Sequence, residues 1–200
     1  MKPQFSSYAE VMKQLSVEGN PTPTRRFSFS IPNAREELYS AMSAVFASMG
    51  EDFVWLEEYD RVAEWLSGNK GKGLLLYGVC GRGKSLLVRY ALPMIFRTFL
   101  NRIITVVDCG AQGIDIDGVL TRKFIGLDDI GVETDRMEYG TRRNIVAEVF
   151  NKAQDNTDTM ILASTNLSAE MLQNRYGDRI LDRIKYLCWR IPFNGTSLRK

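Results

Sequence analysis

The octapeptide GVCGRGKS, residues 78–85, constrains the fold of this chain more than any other part of its sequence. It follows the apolar run Leu74–Tyr77 and leads into an apolar helical pattern that starts at Lys84. Glycines at this spacing let successive backbone N–H groups turn toward one point, where they can surround a phosphate. The helix that begins there adds its partial positive charge. A strand, this loop and a helix in that order therefore predict a site for the polyphosphate of a nucleotide.

The end of the octapeptide carries the chemistry of that site. We expect Lys84 to reach the terminal phosphates of the nucleotide and the hydroxyl of Ser85 to ligate Mg²⁺. The full set of loop residues expected to contact the nucleotide is Gly78, Val79, Cys80, Gly81, Arg82, Gly83, Lys84, Ser85 and Leu86. Tyr59, in the segment before the first strand, is the candidate to pack against adenine. The alternative is that Tyr59 only packs within a helix.

The sequence beyond Gly71 alternates between apolar strands and amphipathic helices. The predicted strands are 74–77, 103–108, 124–128, 160–163 and 188–191, and the longer predicted helices are 84–100 and 141–155. Pro93 should kink or divide the first of these helices. Strands that alternate with helices form a parallel sheet that is covered on both faces. The expected fold class is therefore α/β, a P-loop NTPase with a five-stranded parallel sheet flanked by helices.

Two domains are expected along the chain. Residues 1–57 are predicted to form a small helical N-terminal extension, with helices near 8–15 and 33–50 and an extended linker at 20–24, NPTPT. Residues 58–200 are predicted to form the P-loop domain. The short stretch after the last strand leaves no room for a sizeable C-terminal lid.

The composition excludes several classes of enzyme. The chain contains no histidine, so a Ser-His-Asp triad, a Cys-His pair and an HExxH metal site are all impossible. The three cysteines lack the spacing of a metal site or of a disulfide framework, which favours a reducing, cytoplasmic location. No apolar run approaches the length of a membrane span, so no membrane partner is expected. A net charge of +2 gives no global attraction to nucleic acid.

A second candidate element, KFIGLDDIG at residues 123–131, is an apolar strand that ends in two aspartates. At the C-terminal edge of a parallel sheet, Asp128 can hold Mg²⁺ through its water shell, and Asp129 can act as general base toward the attacking water. The next strand runs into Asn166, whose neutral amide can orient that water or sense the terminal phosphate. From the residues alone, a helix cap for the aspartates and a simple turn at 164–166 remain alternatives.

Five motifs in a fixed order carry a resemblance to a known family: GVCGRGKS, LDDIG, ASTNL, YGDRILDRI and FNGTSLRK. With the approach YDRVAEWLSGNKGKGLLLYG, they closely resemble the AAA+ ATPases of the bacterial helicase-loader group (DnaC/DnaI type) and their IstB transposition relatives. The similarity runs from Tyr59 to the C-terminus. It implies an AAA+ core in which residues 78–85 are the Walker A loop, Asp128 and Asp129 are Walker B, and Asn166 is sensor 1. Many relatives carry glutamate in place of Asp129, so slow hydrolysis is expected.

The resemblance also assigns roles to two arginines. Arg183, in YGDRILDRI, matches the arginine finger that such proteins insert into a neighbour's active site. Arg199, in GTSLRK, matches the sensor 2 arginine, which reaches the nucleotide of its own subunit. On the residues alone, the helix from Asp178 has an apolar face formed by Ile180, Leu181, Ile184 and Leu187. Arg183 lies on the other face, so an exposed charged helix is the alternative to the finger.

Together these features predict an ATP-hydrolysing, Mg²⁺-dependent AAA+ protein of DNA replication or mobile-element DNA metabolism. Expected partners are further copies of the chain, joined by nucleotide-bridged interfaces, and a replicative helicase or a transposase. Binding of single-stranded DNA is in doubt, because the helical insertion that relatives use for it is absent and residues 109–122 contain one basic residue. Two rival functions stay open: a small-molecule or nucleoside kinase, and a non-hydrolysing switch or scaffold that ATP assembles.

Overall fold

The structure is a computed structural model that describes residues 7–20, 24–138 and 141–198. The helices are α1 (Tyr8–Val17), α2 (Ala34–Ser48), α3 (Glu57–Ser67), α4 (Lys84–Leu86), a π-helical turn (Leu87–Ala91), α5 (Leu92–Leu100), α6 (Ile116–Leu120), α7 (Ile145–Asp155) and α8 (Ala169–Leu187). The strands are β1 (Gly73–Gly78), β2 (Thr105–Asp108), β3 (Phe124–Asp128), β4 (Arg136–Glu138), β5 (Thr141–Arg143), β6 (Met160–Thr165) and β7 (Cys188–Phe193).

Five parallel strands form the central sheet, in the order β2-β3-β6-β1-β7. Because side chains alternate along a strand, Leu74 and Leu76 of β1 enter the core on one face and Leu75 enters the core on the other. The helices α2, α3 and α5 cover the first face, and α6, α7 and α8 cover the second. The predicted fold class, an α/β sheet of five parallel strands flanked by helices, is confirmed.

The hydrophobic core does not divide at residue 57. Leu38 and Met42 of α2 are fully buried and belong to the same core as Leu74 and Phe96. Residues 34–48 therefore pack as part of the main domain, although we predicted them within a separate extension. By contrast, α1 has no buried residue in the described chain.

The helix predicted at 84–100 is divided, as its proline led us to expect. A π-helical turn separates α4 from α5, and Pro93 lies in the first turn of α5. Because the backbone before Pro93 is already helical, proline lacks an N–H donor to the preceding turn, and the π-helical turn lies where that hydrogen bond is missing. The π-helical turn lies directly after the phosphate loop, and such turns are frequent at functional sites.

One local prediction was wrong, and one short helix was missed. The helix expected from Thr141 begins at Ile145, because the side chain of Asn144 caps it by accepting the Ala147 N–H at 3.0 Å. Residues 141–143 instead form β5, which pairs with β4 in an antiparallel hairpin. The helix α6 was not predicted at all; it is short, and the Asp115 side chain caps it by accepting the Gly118 N–H.

The element α8 consists of two helical segments that meet at a sharp kink at Gly177 (φ 77°, ψ 169°). The buried residues after the kink are Ile180, Leu181, Ile184 and Leu187, as predicted. The three cysteines are free; Cys80 is exposed, and Cys109 and Cys188 are buried. Within the described residues, no helix has both the length and the apolar character to cross a bilayer.

Candidate functional site

The carboxyl ends of β1, β6 and β3 lie side by side at one edge of the sheet, because these strands are successive parallel neighbours. The phosphate loop leaves β1, Asn166 follows β6, and Asp128 ends β3. The crevice beyond the carboxyl ends of the strands is where open α/β sheets bind ligands. The sheet order therefore gathers the three motifs that the sequence places far apart.

The phosphate loop starts at a close approach between β1 and β7. Gly78 has a φ of 122°, and a Cβ atom on it would lie 2.3 Å from the carbonyl oxygen of Phe193. The N–H of Val79 donates to the same carbonyl at 2.9 Å. Glycine is required here both for the backbone conformation and for the space next to β7.

The end of the loop rests on a buried tyrosine. Gly83 has a φ of 86°, and a Cβ atom on it would lie 2.4 Å from the hydroxyl oxygen of Tyr59. That hydroxyl donates to the carbonyl of Arg82 at 3.1 Å. Tyr59 is only 1% exposed, and its ring contacts the rings of Trp55 and Phe193 among others. Burial raises the pKa of Tyr59, so the hydroxyl remains a neutral donor.

This position differs from the adenine contact that we expected for Tyr59. In this structure the enclosed ring has no face open to a base. Tyr59 supports the phosphate loop from beneath, and sequence periodicity alone could not distinguish that role from a ligand contact.

Lys84 lies at the start of α4 and is 6% exposed. Its Nζ atom donates to the carbonyls of Gly78 and Val79, at 2.8 and 2.7 Å. The ammonium group is thus held against the first two residues of the loop. Ser85 follows in the same turn and is half-buried.

Arg82 connects the phosphate loop to α3 through an ion pair with Glu58. Its guanidinium forms a two-point pair with Glu58, with Nε to Oε1 at 2.8 Å and Nη2 to Oε2 at 2.9 Å. The two side chains are 11% and 12% exposed. A bidentate pair of this kind fixes direction as well as distance, so it holds the loop in one position relative to α3.

The chain that follows β7 lies across the same loop. The carbonyl of Thr196 accepts from Arg82 Nη1 at 2.9 Å, and the N–H of Leu198 donates to the carbonyl of Gly81 at 3.1 Å. Arg199, the predicted sensor 2 residue, lies outside the described residues. The preceding residue, Leu198, lies beside the phosphate loop through its hydrogen bond to Gly81.

Ser164 joins the two aspartates of the second motif. Asp128 is 2% exposed, and its Oδ1 accepts a hydrogen bond from the Ser164 hydroxyl. The same hydroxyl oxygen accepts the backbone N–H of Asp129 at 2.8 Å. The end of β3 is thereby tied to the end of β6, and the turn places Asp129 in a left-handed conformation with φ of 59°. Aspartate tolerates that conformation better than most residues do.

Asp129 and Asn166 are in direct contact, since Asn166 Nδ2 donates to Asp129 Oδ1 at 3.0 Å. Burial and the neighbouring charge of Asp128 raise the pKa of Asp129, and Lys84 opposes part of that effect. A carboxylate with a raised pKa is a stronger base than an exposed one. The structure thus brings together four of the predicted residues: Lys84, Asp128, Asp129 and Asn166.

The donor set at this edge suits Mg²⁺. The ion is usually bound by one or two protein oxygens together with substrate phosphates and water. Ser85 supplies a hydroxyl at the start of α4, and Asp128 supplies a carboxylate at the end of β3. Each oxygen of Asp128 accepts one hydrogen bond from the protein, which leaves acceptor capacity for water around a metal.

Sequence reasoning missed several residues of this site. Arg89 pairs with both Asp108 and Asp128, and Ser164 connects Asp128 with Asp129. One signal could have indicated Arg89: it follows Ser85 by four residues, which places both side chains on one face of a helix. The role of Asp108 depends on the pairing of β2 with β3, which the sequence did not reveal.

Arg183 is half-buried on α8, between Asp182 and Ile184. Its Nη1 atom is buried and has no hydrogen-bond partner among the described residues. A buried donor of a charged group without an acceptor is costly, so this atom does not stabilise the present orientation of the side chain. To reach a neighbouring subunit, the side chain would have to turn outward.

An open groove of about 500 Å³ lies close to the Asp129–Asn166 contact, because its lining residues Gly131 and Leu167 follow these two residues along the chain by two and one positions. Its polar lining includes Asp135, Asn144, Asn174 and Arg175. The buried carboxylate of Glu133 fixes one side of it, because it accepts hydrogen bonds from Asn144, Arg175, Gly131 and Tyr176. These contacts connect the turn after β3 to the first half of α8.

The fold matches solved structures of a helicase loader and of a primosome component. A structure of the DnaC helicase loader superposes with a TM-score of 0.54 at 17% sequence identity, over 71% of this chain and 93% of that one. A primosome component from Streptococcus pyogenes serotype M3 gives a TM-score of 0.50 at 24% identity, over 71% of this chain and 78% of that one. The resemblance to the helicase-loader group is thus confirmed at the level of the fold. No protein-family model matches the sequence, and no curated protein sequence matches it.

Proposed function

We propose that the protein is an ATP-hydrolysing AAA+ protein of DNA replication or mobile-element DNA metabolism, helicase-loader-like, whose active site is completed by a neighbouring subunit. One observation carries the proposal. The phosphate loop with Lys84, the Asp128–Asp129 pair and Asn166 lie together at the carboxyl edge of a sheet with the fold of a helicase loader.

The residues of the site divide the chemistry among them. The backbone of residues 78–85 surrounds the phosphates, and Lys84 leaves the loop carbonyls to pair with the terminal phosphates. Asp129, held by Asn166, accepts the proton of the attacking water. Asp128 and Ser85 would hold Mg²⁺, which neutralises phosphate charge when it is bound. The short side chain of Asp129 reaches less far than glutamate would, so turnover is slow.

Arg183 of a neighbouring subunit supplies the remaining positive charge. An arginine that enters from another subunit stabilises charge on the transferring phosphoryl group and makes hydrolysis depend on assembly. The Nη1 atom of Arg183 makes no hydrogen bond in its buried position, so an outward turn toward a neighbour's phosphate would break no hydrogen bond of that atom. Arg199 is the proposed counterpart within the same subunit.

A mixing experiment tests this arrangement. Lys84→Ala should abolish nucleotide binding in its own subunit. Arg183→Ala should remove the arginine that enters a neighbour's site. Each variant alone should therefore show only background ATPase activity. An equimolar mixture should regain activity, because Arg183 of one variant can enter the intact phosphate site of the other. Arg179→Ala, an exposed arginine on the same helix, is the matched control and should hydrolyse ATP like the wild type.

Two results would contradict the arrangement. If the mixture stays at background while both variants are folded, the arginine does not act between subunits. If Arg183→Ala alone retains wild-type activity, Arg183 is not needed at all. The same assay with and without single-stranded DNA tests the proposed role in DNA metabolism, since a loader-like protein should respond to the DNA.

A second candidate function is a small-molecule or nucleoside kinase. The groove beside Asp129 and Asn166 has the volume of a small-ligand site, which lies roughly between 300 and 1,000 Å³ in proteins. In a kinase, ADP would form only when an acceptor occupies that groove. ADP formation that depends on an added nucleoside, rather than on protein concentration, would favour this function over the first.

A further inference from the structure

Arg89 forms a bridge between the ends of two strands. Its Nε atom donates to Oδ2 of Asp128, and its Nη2 atom lies 2.7 Å from Oδ2 of Asp108. The arginine side chain is 34% exposed, Asp108 is 48% exposed and Asp128 is 2% exposed. The bridge thus has a buried end at Asp128 and a solvent end at Asp108.

The backbone explains why one guanidinium reaches both carboxylates. Asp108 and Asp128 are register partners at the ends of the parallel strands β2 and β3. Arg89 lies in the π-helical turn that follows α4, four residues after Ser85. The planar fork of a guanidinium can span two carboxylates, which a lysine ammonium cannot do with the same geometry. Hydrogen bonds from Arg89 hold the pKa of Asp108 below its usual value.

The bridge places a fixed cation on the carboxylate that suits Mg²⁺. Arg89 occupies Oδ2 of Asp128 and Ser164 occupies Oδ1, so both oxygens already have a donor from the protein. A divalent ion that approaches Asp128 meets the repulsion of the guanidinium. Asp108 offers the guanidinium a second partner, to which it can remain bound after it leaves Asp128.

We propose that Arg89 is a built-in counter-ion that competes with Mg²⁺ for Asp128, and that binding of the metal with nucleotide moves Arg89 from Asp128 to Asp108 alone. Arg89 then sets the Mg²⁺ concentration at which the site closes on ATP. Because the proposal rests on the proposed ATP site, its test must also show whether that site binds nucleotide.

The test measures binding without turnover. A fluorescent, non-hydrolysable ATP analogue is held at a fixed concentration, and Mg²⁺ is added to the wild type and to Arg89→Gln, starting from a chelated solution. Arg89→Lys keeps the charge but loses the two-point bridge. Arg97→Gln is the matched control, because it makes the same charge change on the adjoining helix α5, where the exposed Arg97 donates to the neutral Asn101.

Removal of one unit charge a few ångströms from a divalent ion is expected to change its affinity by about tenfold. Arg89→Gln should therefore reach half-maximal analogue binding at about one tenth of the wild-type Mg²⁺ concentration. Arg89→Lys should fall between the two, and Arg97→Gln should match the wild type. If Arg89→Gln needs the same or a higher Mg²⁺ concentration for half-maximal analogue binding, the proposal for Arg89 is overturned, whereas the proposed ATP site is not. A wild type that binds no analogue at any Mg²⁺ concentration would overturn both.

A second measurement uses the wild-type protein, in case Arg89→Gln does not fold. The Nε–H resonance of Arg89 is assigned from its loss in the spectrum of Arg89→Lys. It should shift when the analogue and Mg²⁺ are added together, because the donor loses its bond to Asp128, and it should not shift with the analogue and chelator. A chemical shift that does not change when Mg²⁺ is added would show that Arg89 stays bound to Asp128, and it would overturn the proposal.

Discussion

Replacing Gly83 with alanine tests how Tyr59 shapes the phosphate loop. The new Cβ meets two separate penalties. The φ of 86° forces an L-residue into the left-handed region, which costs about 1–2 kcal/mol. The contact of 2.4 Å with the Tyr59 hydroxyl adds about 1–3 kcal/mol, since the buried ring cannot swing away. Gly83→Ala should therefore lower the free energy of unfolding by about 2–5 kcal/mol.

A second substitution separates these two penalties. Tyr59→Phe removes the hydroxyl and its hydrogen bond to the Arg82 carbonyl, at a cost of about 1 kcal/mol. The alanine Cβ would then meet only ordinary contacts, 3.5 Å from the Cζ position of the ring and 3.6 Å from Met42 Cε. The double variant should thus lose about 2–3 kcal/mol, less than the sum of the single losses by about 1–3 kcal/mol.

Equilibrium urea unfolding of the four proteins gives this coupling energy directly. Gly113→Ala is the control for backbone strain alone, because Gly113 has a similar φ of 74° and a Cβ atom on it would have no neighbour within 4 Å among the described residues. Additive losses in the double variant, within about 0.5 kcal/mol, would refute the claim that the hydroxyl of Tyr59 presses against the loop at this point.

The geometry of the site leads to three further predictions. Gly78→Ala should cost at least about 3 kcal/mol in urea unfolding and should not be rescued by any Phe193 substitution, because the obstructing atom is a backbone carbonyl. Ser164→Ala should lower stability by about 1–3 kcal/mol and slow ATP turnover, because Asp128 and the N–H of Asp129 both lose their partner; unchanged turnover would contradict this. In a pH profile, ATPase activity should fall as the pH drops through the raised pKa of Asp129, so the acid limb should lie above the ordinary aspartate value of 3.8. An acid limb at or below that value would exclude Asp129 as the base.

The sequence predicted the candidate site where local pattern and strand direction were sufficient. A glycine-rich loop between an apolar strand and a helix predicts a phosphate-binding conformation from the local sequence alone. Asp128 ends a recognisable strand, and Asn166 follows another. Parallel strands bring their carboxyl ends to one edge, so Asp129 and Asn166 could be expected at the same edge of the sheet. Their direct contact also requires β3 and β6 to be neighbours, which only the structure shows.

Other parts of the site depend on packing that no local pattern encodes. The Arg82–Glu58 pair requires α3 to lie against the loop, and the Arg89 bridge requires β2 to be the neighbour of β3. The position of Tyr59 in the sequence is compatible with a core residue and with a ligand contact. The structure distinguishes the two, because other aromatic rings enclose Tyr59. The missed hairpin of β4 and β5 has the same origin, because the cap at Asn144 overrides a helical pattern that starts earlier.

The most direct test of the central claim is ATP hydrolysis per subunit measured against protein concentration. If Arg183 completes the site of a neighbour, specific activity should rise as subunits associate, and it should reach a plateau when association is complete. Arg183→Ala should remain at the low, dilute-limit value throughout the series. A specific activity that is measurable and flat from the lowest concentration upward would show that each site is complete within one subunit, and would contradict the proposed arrangement.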